Sequence, residues 1–258
     1  MESLCNFYYA KDNDGLADIV ASRLAQTDLI MGAEKVINAM RKVDRKTFIP
    51  AVEDQSGFDL YLKELGIENR FDRFIAWMKD FRNFRDFAYA DVAVQIGHGQ
   101  TCSQPTTMAY TLGLLQLEEK MKILEIGSGC FYSGAVMSEL AGPEGFIVSI
   151  ETVAGLASLA SQNANSHFGS NYSNRILIIN GDGKLGYPEK APYDRIIFTA
   201  GARDNQVVDD LINVLEGQLK PDGKLLIPQS EGMMRLFARD NGKLRGINVG
   251  QANFVPLV

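Results

Sequence analysis

From residue 120 onward the apolar residues fall in short unbroken runs: KILEIG (122–127), FIVSIE (146–151), RILIIN (175–180), DRIIFTA (194–200) and GKLLIPQ (223–229). Helix-length segments separate them. Continuous Ile, Leu and Val runs predict strands buried on both faces, and their alternation with helices predicts parallel βα units. Near the end, LRGINVG and ANFVPLV leave little room for a crossover helix, so they predict antiparallel additions to the sheet. Upstream the spacing is helical. Apolar residues recur at helical intervals over 16–30 and again over 33–43 (Val36, Ile37, Met40, Val43), with Pro50 as the stop. Phe71, Phe74, Ile75, Met78 and Phe81 form a further amphipathic stripe, with Trp77 off it, and core packing accounts for these aromatics. The pattern predicts a three-layer, doubly wound, Rossmann-like α/β fold, mostly parallel with antiparallel C-terminal strands. A single domain over 1–258 is expected, with a helical N-terminal region (1–85) ahead of the sheet-bearing part (86–258).

Composition narrows the function classes. The 258 residues are 46% hydrophobic and 22% charged, ordinary for a globular chain with a full core. A net charge of −6 argues against a nucleic-acid partner, which usually needs a basic face. Cys5, Cys102 and Cys130 are widely spaced and in no CxxC arrangement, so neither a disulfide framework nor a metal site is expected. The opening MESLCNFYYAKDND has no basic stretch followed by an apolar one, and no apolar run is long enough to span a bilayer. A cytoplasmic protein with no membrane partner is expected, and a monomer rather than an oligomer.

Three features suggest a nucleoside site. The turn after the first strand reads Gly127-Ser128-Gly129-Cys130-Phe131-Tyr132, where glycines let a backbone approach a ligand at a helix N-terminus. The third glycine of a dinucleotide fingerprint is absent. Glu151 ends the second strand, where a carboxylate can accept from both hydroxyls of a ribose. In NGDG (180–183), Asp182 can meet an adenine amino group beside the small Gly183. Glycine, acid and acid without a phosphate loop favour S-adenosylmethionine over a dinucleotide. The alternative, a nicotinamide-dependent oxidoreductase, would need a Tyr-Lys or His pair at suggestive spacing, and none is present. Ahead of these features lies IGHGQTCSQP (96–105), which is too polar for core and reads as a functional loop without a base or a nucleophile pair.

FRDFAYADVAVQIGHGQTCSQPTTMAYTLGLLQL (84–117) resembles the segment before the first strand in protein-L-isoaspartate O-methyltransferases. The similarity continues through ILEIGSG, VSIE, NGDGKLGYPEKAPYDRIIFTAGA, LKPDGKLLIP and NFVPLV, and VINAMRKVDRKTFIP (36–50) is similar to the family's N-terminal helix. The resemblance implies methyl transfer from S-adenosylmethionine, leaving S-adenosylhomocysteine, to the free α-carboxylate of L-isoaspartyl residues in damaged proteins. It implies Ser103 as the active-site serine. Gln100, Thr101, Cys102, Gly127, Ser128, Gly129, Glu151, Asp182 and Gly183 are implied at the cofactor, and Ser103, Gln104, Phe254, Val255, Pro256 and Leu257 at the substrate. This chemistry explains the missing base: a carboxylate with a pKa of about 4 arrives already ionised. His98 and His167 then need no catalytic role.

Three departures from the family pattern stand out. Phe131 replaces the third glycine, which predicts either an obstructed cofactor site or a ring turned away by a shifted helix start. Cys102 stands where a branched aliphatic is usual and reads as a small buried hydrophobe. Residues 54–83 read as an insertion just before the substrate loop. Two alternatives follow, methylation of a particular Asp-containing protein and a non-catalytic binder of S-adenosylmethionine.

Overall fold

Polar caps and apolar stripes set the first helices of the computed structural model, which describes residues 9–27, 32–51, 84–230 and 232–257. Helix α1 (Asn13–Leu24) starts where the Asp12 carboxylate accepts from the Gly15 amide, and it buries Leu16, Ala17, Val20 and Leu24. Helix α2 (Ala33–Lys42) turns Val36, Ile37, Ala39 and Met40 inward. The chain leaves α2 through the extended Val43, so the stop comes well before Pro50. Asp44 then caps a single turn, α3 (Arg45–Phe48). Residues 54–83, with the aromatic stripe and the expected insertion, lie outside the described residues.

The polar run expected as a loop is largely a hairpin. Strands β1 (Val94–Gly97) and β2 (Gln100–Cys102) pair antiparallel. Their two-residue turn, His98-Gly99, has positive φ at both positions (56° and 69°), which is what the right-handed twist of a tight hairpin demands. Pro105 then opens α4 (Pro105–Leu115) at a position where a missing N–H costs no helix bond.

The later strands are β3 (Lys122–Ile126), β4 (Phe146–Glu151), β5 (Ile176–Asn180), β6 (Tyr193–Phe198), β7 (Leu219–Pro228), β8 (Met233–Asp240) and β9 (Lys243–Gln251). Helices α5 (Tyr132–Ala141), α6 (Ala154–Phe168) and α7 (Asn205–Leu215) run between the parallel ones. The seven strands lie in the order β5-β4-β3-β6-β7-β8-β9. The pairs from β5 to β7 are parallel and the last two are antiparallel. The expected fold class holds, with two differences in detail. MMRLFARD forms β8, which the pattern did not reveal because its buried Met234 and Phe237 stand three apart. ANFVPLV forms no ladder and touches its neighbours through an isolated parallel bridge between Gly201 and Pro256.

Neighbouring residues of one strand feed two cores. Ile123, Ile147, Ile197 and Leu226 pack with side chains of α1, α2, α4, α5 and α6. Leu124, Val148, Ile196 and Leu225 pack on the other face with Val208, Leu211 and Leu215 of α7. Each such fully buried side chain contributes about 2 kcal/mol, which fixes the sheet's register and hence the loops at its end. The chain runs outward from β3 to β5 and then returns to place β6 on the other side of β3. That reversal opens a crevice at the strands' carboxyl ends, where open α/β sheets bind ligands. Among the described residues no helix is long and apolar enough to cross a membrane.

Candidate active site

The crevice begins at the glycine turn. Gly127 has φ of 100°, and a Cβ there would overlap the Thr199 hydroxyl, which donates to the Ile126 and Gly127 carbonyls. Gly129 has φ of 52° and brings the turn against Ile96 of β1, whose Cδ1 would stand 3.2 Å from an added Cβ. Phe131 takes the left-handed conformation (φ 68°) as the N-cap of α5. Its fully buried ring occupies space left by Gly134, where a Cβ would overlap it. The ring belongs to the core and does not line the cleft, so of the two expected outcomes the turned-away ring is the one observed.

Glu151, only 6% exposed, accepts from the Gly129 amide through Oε2 and from the Val153 amide through Oε1, both at 2.9 Å. A carboxylate offers about four lone-pair positions, so an acceptor site remains on each oxygen. Asp182 is placed differently from the expectation. It is exposed, accepts from the Lys184 amide at 2.9 Å and does not line the cleft. Gly183 does line it, packed so closely on Ile126 that a Cβ would lie 2.5 Å from Cγ2.

Beneath the turn lies a polar network that the sequence reading missed. Glu125 is fully buried on β3 and accepts from Ser133 and, at 2.5 Å, from Ser149, whose hydroxyl also meets that of Ser128 at 2.6 Å. Burial pushes the Glu125 carboxyl up to about 7, against the two hydroxyl hydrogen bonds and helped by the nearby Glu151 charge. Ser128 and Ser133 line the cleft directly above this group.

The hairpin supplies another wall through Gln100, Thr101, Cys102 and Ser103. Its support is Arg45, fully buried, which donates to the carbonyls of Ala88, Ala90, Val92, Cys102 and Ser103 at 2.9–3.4 Å. No local signal marks a residue so distant in sequence from Ser103. Asp91 is the second support. Its buried carboxylate pairs with Arg23 at 3.2 Å and accepts from the Thr106 amide, the Thr106 hydroxyl and Gln104 Nε2. Gln104 is thus committed to Asp91 and faces an adjoining pocket rather than the main cleft. Ser103 lines both pockets, and its hydroxyl has no hydrogen-bond partner among the described residues.

Val255, Pro256 and Leu257 close the cleft. The Gly201 amide donates to the Val255 carbonyl and the Leu257 amide to the Gly201 carbonyl, both at 2.8 Å. Phe254 lines only the adjoining pocket. Neither histidine lines the cleft. His98 rests on Gly155 at the hairpin tip, and His167 is half-buried between Phe48 and Phe168, where desolvation pushes its pKa down.

The family model for Protein-L-isoaspartate(D-aspartate) O-methyltransferase (PCMT) matches residues 73–258. The chain is 36% identical over 248 residues to Protein-L-isoaspartate O-methyltransferase 1 of Archaeoglobus fulgidus, covering 95% of this chain and 94% of that one. A solved protein-L-isoaspartate O-methyltransferase superposes with a TM-score of 0.68 at 22% identity, over 95% of this chain and 65% of that one. A Plasmodium falciparum structure, described as such an enzyme in complex with S-adenosyl-L-homocysteine, also gives 0.68, at 19% identity over 96% and 99% of the two chains. At those identities the structural likeness is one of fold.

Proposed function

This chain belongs to the protein-L-isoaspartate(D-aspartate) O-methyltransferase family, and from that premise we propose that its cleft methylates the free α-carboxylate of L-isoaspartyl residues in damaged proteins, with S-adenosylmethionine as donor. The observation that carries the reading is the Ser103 hydroxyl, unpartnered among the described residues and shared by the two adjoining pockets. One pocket has the donors and acceptors for a nucleoside, and the other opens beside the C-terminal segment.

The residues present fit the cofactor. Glu151 keeps an acceptor site on each oxygen for a pair of ribose hydroxyls, while Gly127 and Gly129 let the backbone approach. Gly183, flush against Ile126, leaves a flat apolar face for a purine. Asp182 is already used as a turn cap, so its part at an adenine amino group requires its second oxygen. When bound, S-adenosylmethionine supplies a methyl group on a sulfonium centre.

The chain's own work is orientation. An isoaspartyl carboxylate is ionised at neutral pH and needs no base. Ser103 donates to one of its oxygens and leaves the other free to react. Arg45 locks the Cys102 and Ser103 carbonyls, so the hydroxyl is held by a rigid strand end rather than a mobile loop. The buried guanidinium also lends the site a positive potential for an arriving anion. Gln104 acts by holding the turn against Asp91. Val255, Pro256 and Leu257 flank the peptide and exclude water. The product ester then closes spontaneously to a succinimide, which reopens in part to ordinary aspartate. The reading in which Phe131 blocks the cofactor has no support, since its ring lies in the core. A reducing cytoplasm suits Cys102 and Cys130, both free thiols among the described residues.

The test pairs two peptides of one sequence, one with Asp and one with isoAsp, and labelled S-adenosylmethionine. Alkali-labile label on the isoAsp peptide alone is the expected result. Label on the Asp peptide, or no transfer by a protein that binds the cofactor, would overturn the proposal. Ser103→Ala is expected to lower kcat by about a hundredfold, the scale of a lost orienting donor, with cofactor affinity within about twofold. An equal loss in both would make Ser103 a cofactor residue.

A further inference from the structure

One hydroxyl at the junction of the two pockets has no part in the chemistry so far. Thr101, Ser103, Thr199 and Val255 each line both pockets. Thr101 and Ser103 belong to the hairpin and its exit, whereas Thr199 follows directly on β6 of the main sheet. The Thr199 amide donates to the Ile126 carbonyl at 3.0 Å, which carries the β3–β6 pairing one residue beyond Phe198. The side chain is thereby set level with Gly127, between the two strands where the sheet order reverses.

A hydroxyl has one proton to donate and two lone pairs. Thr199 Oγ1 gives its proton to the Gly127 carbonyl and, at 3.1 Å, to the Ile126 carbonyl. Among the described residues no donor reaches Oγ1, so its lone pairs stay open. Gly127 lacks the Cβ that would overlap this oxygen and cover it. A β-branched side chain is stiff at χ1, and the bonds to the backbone hold it further. Thr199 is therefore a fixed acceptor with no proton to give. Ser103 is its complement, with an unpartnered hydroxyl whose proton is free.

The two reacting groups ask opposite things of these hydroxyls. A carboxylate only accepts, so it suits Ser103 and is repelled by the lone pairs of Thr199. A methyl on a sulfonium centre carries part of the positive charge on its hydrogens, and an oxygen that only accepts suits it. Such C–H···O contacts are weak between neutral groups and stronger when the donor is charged.

We propose that Thr199 is a catalytic residue whose Oγ1 accepts from the methyl hydrogens of S-adenosylmethionine and aims that methyl at the carboxylate held by Ser103. This rests on the cofactor reading above. In the transfer a carboxylate oxygen forms the C–O bond, and the C–S bond breaks with its electron pair left on sulfur. The carboxylate and sulfonium charges cancel, and no proton moves. Thr199 gains and loses nothing; it contributes a direction that is set before the reaction begins.

The test compares Thr199→Val, which keeps the shape and removes the oxygen, with Thr199→Ser, which keeps the oxygen. S-adenosylhomocysteine lacks the methyl, so it serves as the internal reference. By calorimetry, Thr199→Val should weaken S-adenosylmethionine at least about threefold more than S-adenosylhomocysteine. Thr199→Ser should keep the parent's ratio of the two affinities. On an isoAsp peptide, Thr199→Val should lower kcat by about tenfold and leave the peptide KM within about twofold. In single turnovers with a trideuteriomethyl donor, the secondary isotope effect should differ between the parent and Thr199→Val. Equal weakening of both ligands is what a merely structural role at the glycine turn would give, and it would overturn the proposal. So would a Thr199→Ser that behaves like Thr199→Val, or an isotope effect that does not change. A raised peptide KM with an unchanged affinity ratio would also overturn it, assigning the oxygen to a peptide N–H. A parent that binds neither ligand would fail the cofactor reading itself, whereas a parent that binds both, with an unchanged ratio in Thr199→Val, would fail this proposal alone.

Discussion

Glu125 shows how one side chain couples the site to the protein's stability. It sits fully buried between the Ser133 and Ser149 hydroxyls, and desolvation raises its pKa from an ordinary 4.5 to about 7. Between those values the folded protein holds a proton that the unfolded chain has lost. Stability is therefore greatest below about pH 4.5 as far as this group is concerned, falls as pH rises, and levels off above about 7. A difference of that size is worth about 3 kcal/mol. Glu125→Gln stays neutral, so its denaturation midpoint should change less between pH 5 and 8 than the parent's, and it should be the more stable protein at pH 8. An unaltered pH slope would place the effect elsewhere. Glu125 was visible in the sequence only as the acid of LEIG. Its role depends on Ser149, on the next strand, and no local pattern foretells that two neighbouring strands will aim a carboxylate and a hydroxyl at one buried point. Glu151 and the two glycines were legible because their chemistry is set by position at a strand's end.

At the scale of elements, the turn from β3 into α5 opposes two requirements. Phe131 adopts φ of 68°, which suits glycine, yet its ring fills the core space beside Gly134. Left-handed strain in a non-glycine residue costs about 1–3 kcal/mol, whereas removing a fully buried aromatic costs about 3–5 kcal/mol. Burial wins. Phe131→Gly, although it restores the family's usual residue, should therefore lower stability by about 2 kcal/mol or more, as measured by urea denaturation. A gain in stability would mean that the strain dominates. Reading Phe131 as an obstruction followed from its place in the motif; the outcome turned on Gly134, three residues later, which gives the ring somewhere else to go. The hairpin at 94–102 escaped notice for a related reason. Its turn is His98-Gly99 rather than Asn-Gly or Asp-Gly, and its strands are too short to show alternation.

Across the whole molecule, strand direction explains why the last residues reach the site. Strands β6 and β7 run parallel, β8 reverses, and β9 reverses again. Two reversals restore the original direction, so β9 ends at the edge of the sheet that carries the glycine turn and Glu151. The segment after it then crosses back to Gly201, behind β6, and is held there by two backbone hydrogen bonds at 2.8 Å. The parallel sheet was readable because strands buried on both faces appear as unbroken apolar runs. The tail was not, because ANFVPLV has the composition of a strand and only the sheet's topology decides that it becomes a wall. This division predicts the effect of deleting residues 253–258. Two hydrogen bonds and partly buried side chains are lost, a cost of about 1–3 kcal/mol, so thermal unfolding should remain cooperative and shift by a few degrees. The cofactor half is built from strand ends and the hairpin, so S-adenosylhomocysteine affinity by calorimetry should hold within about threefold. With the peptide-flanking role proposed above for these residues, activity on an isoAsp peptide should fall by about a hundredfold or more in kcat/KM once they are removed. A matching collapse of S-adenosylhomocysteine affinity would instead make Val255, Pro256 and Leu257 part of the cofactor's own enclosure, since they also line that cleft.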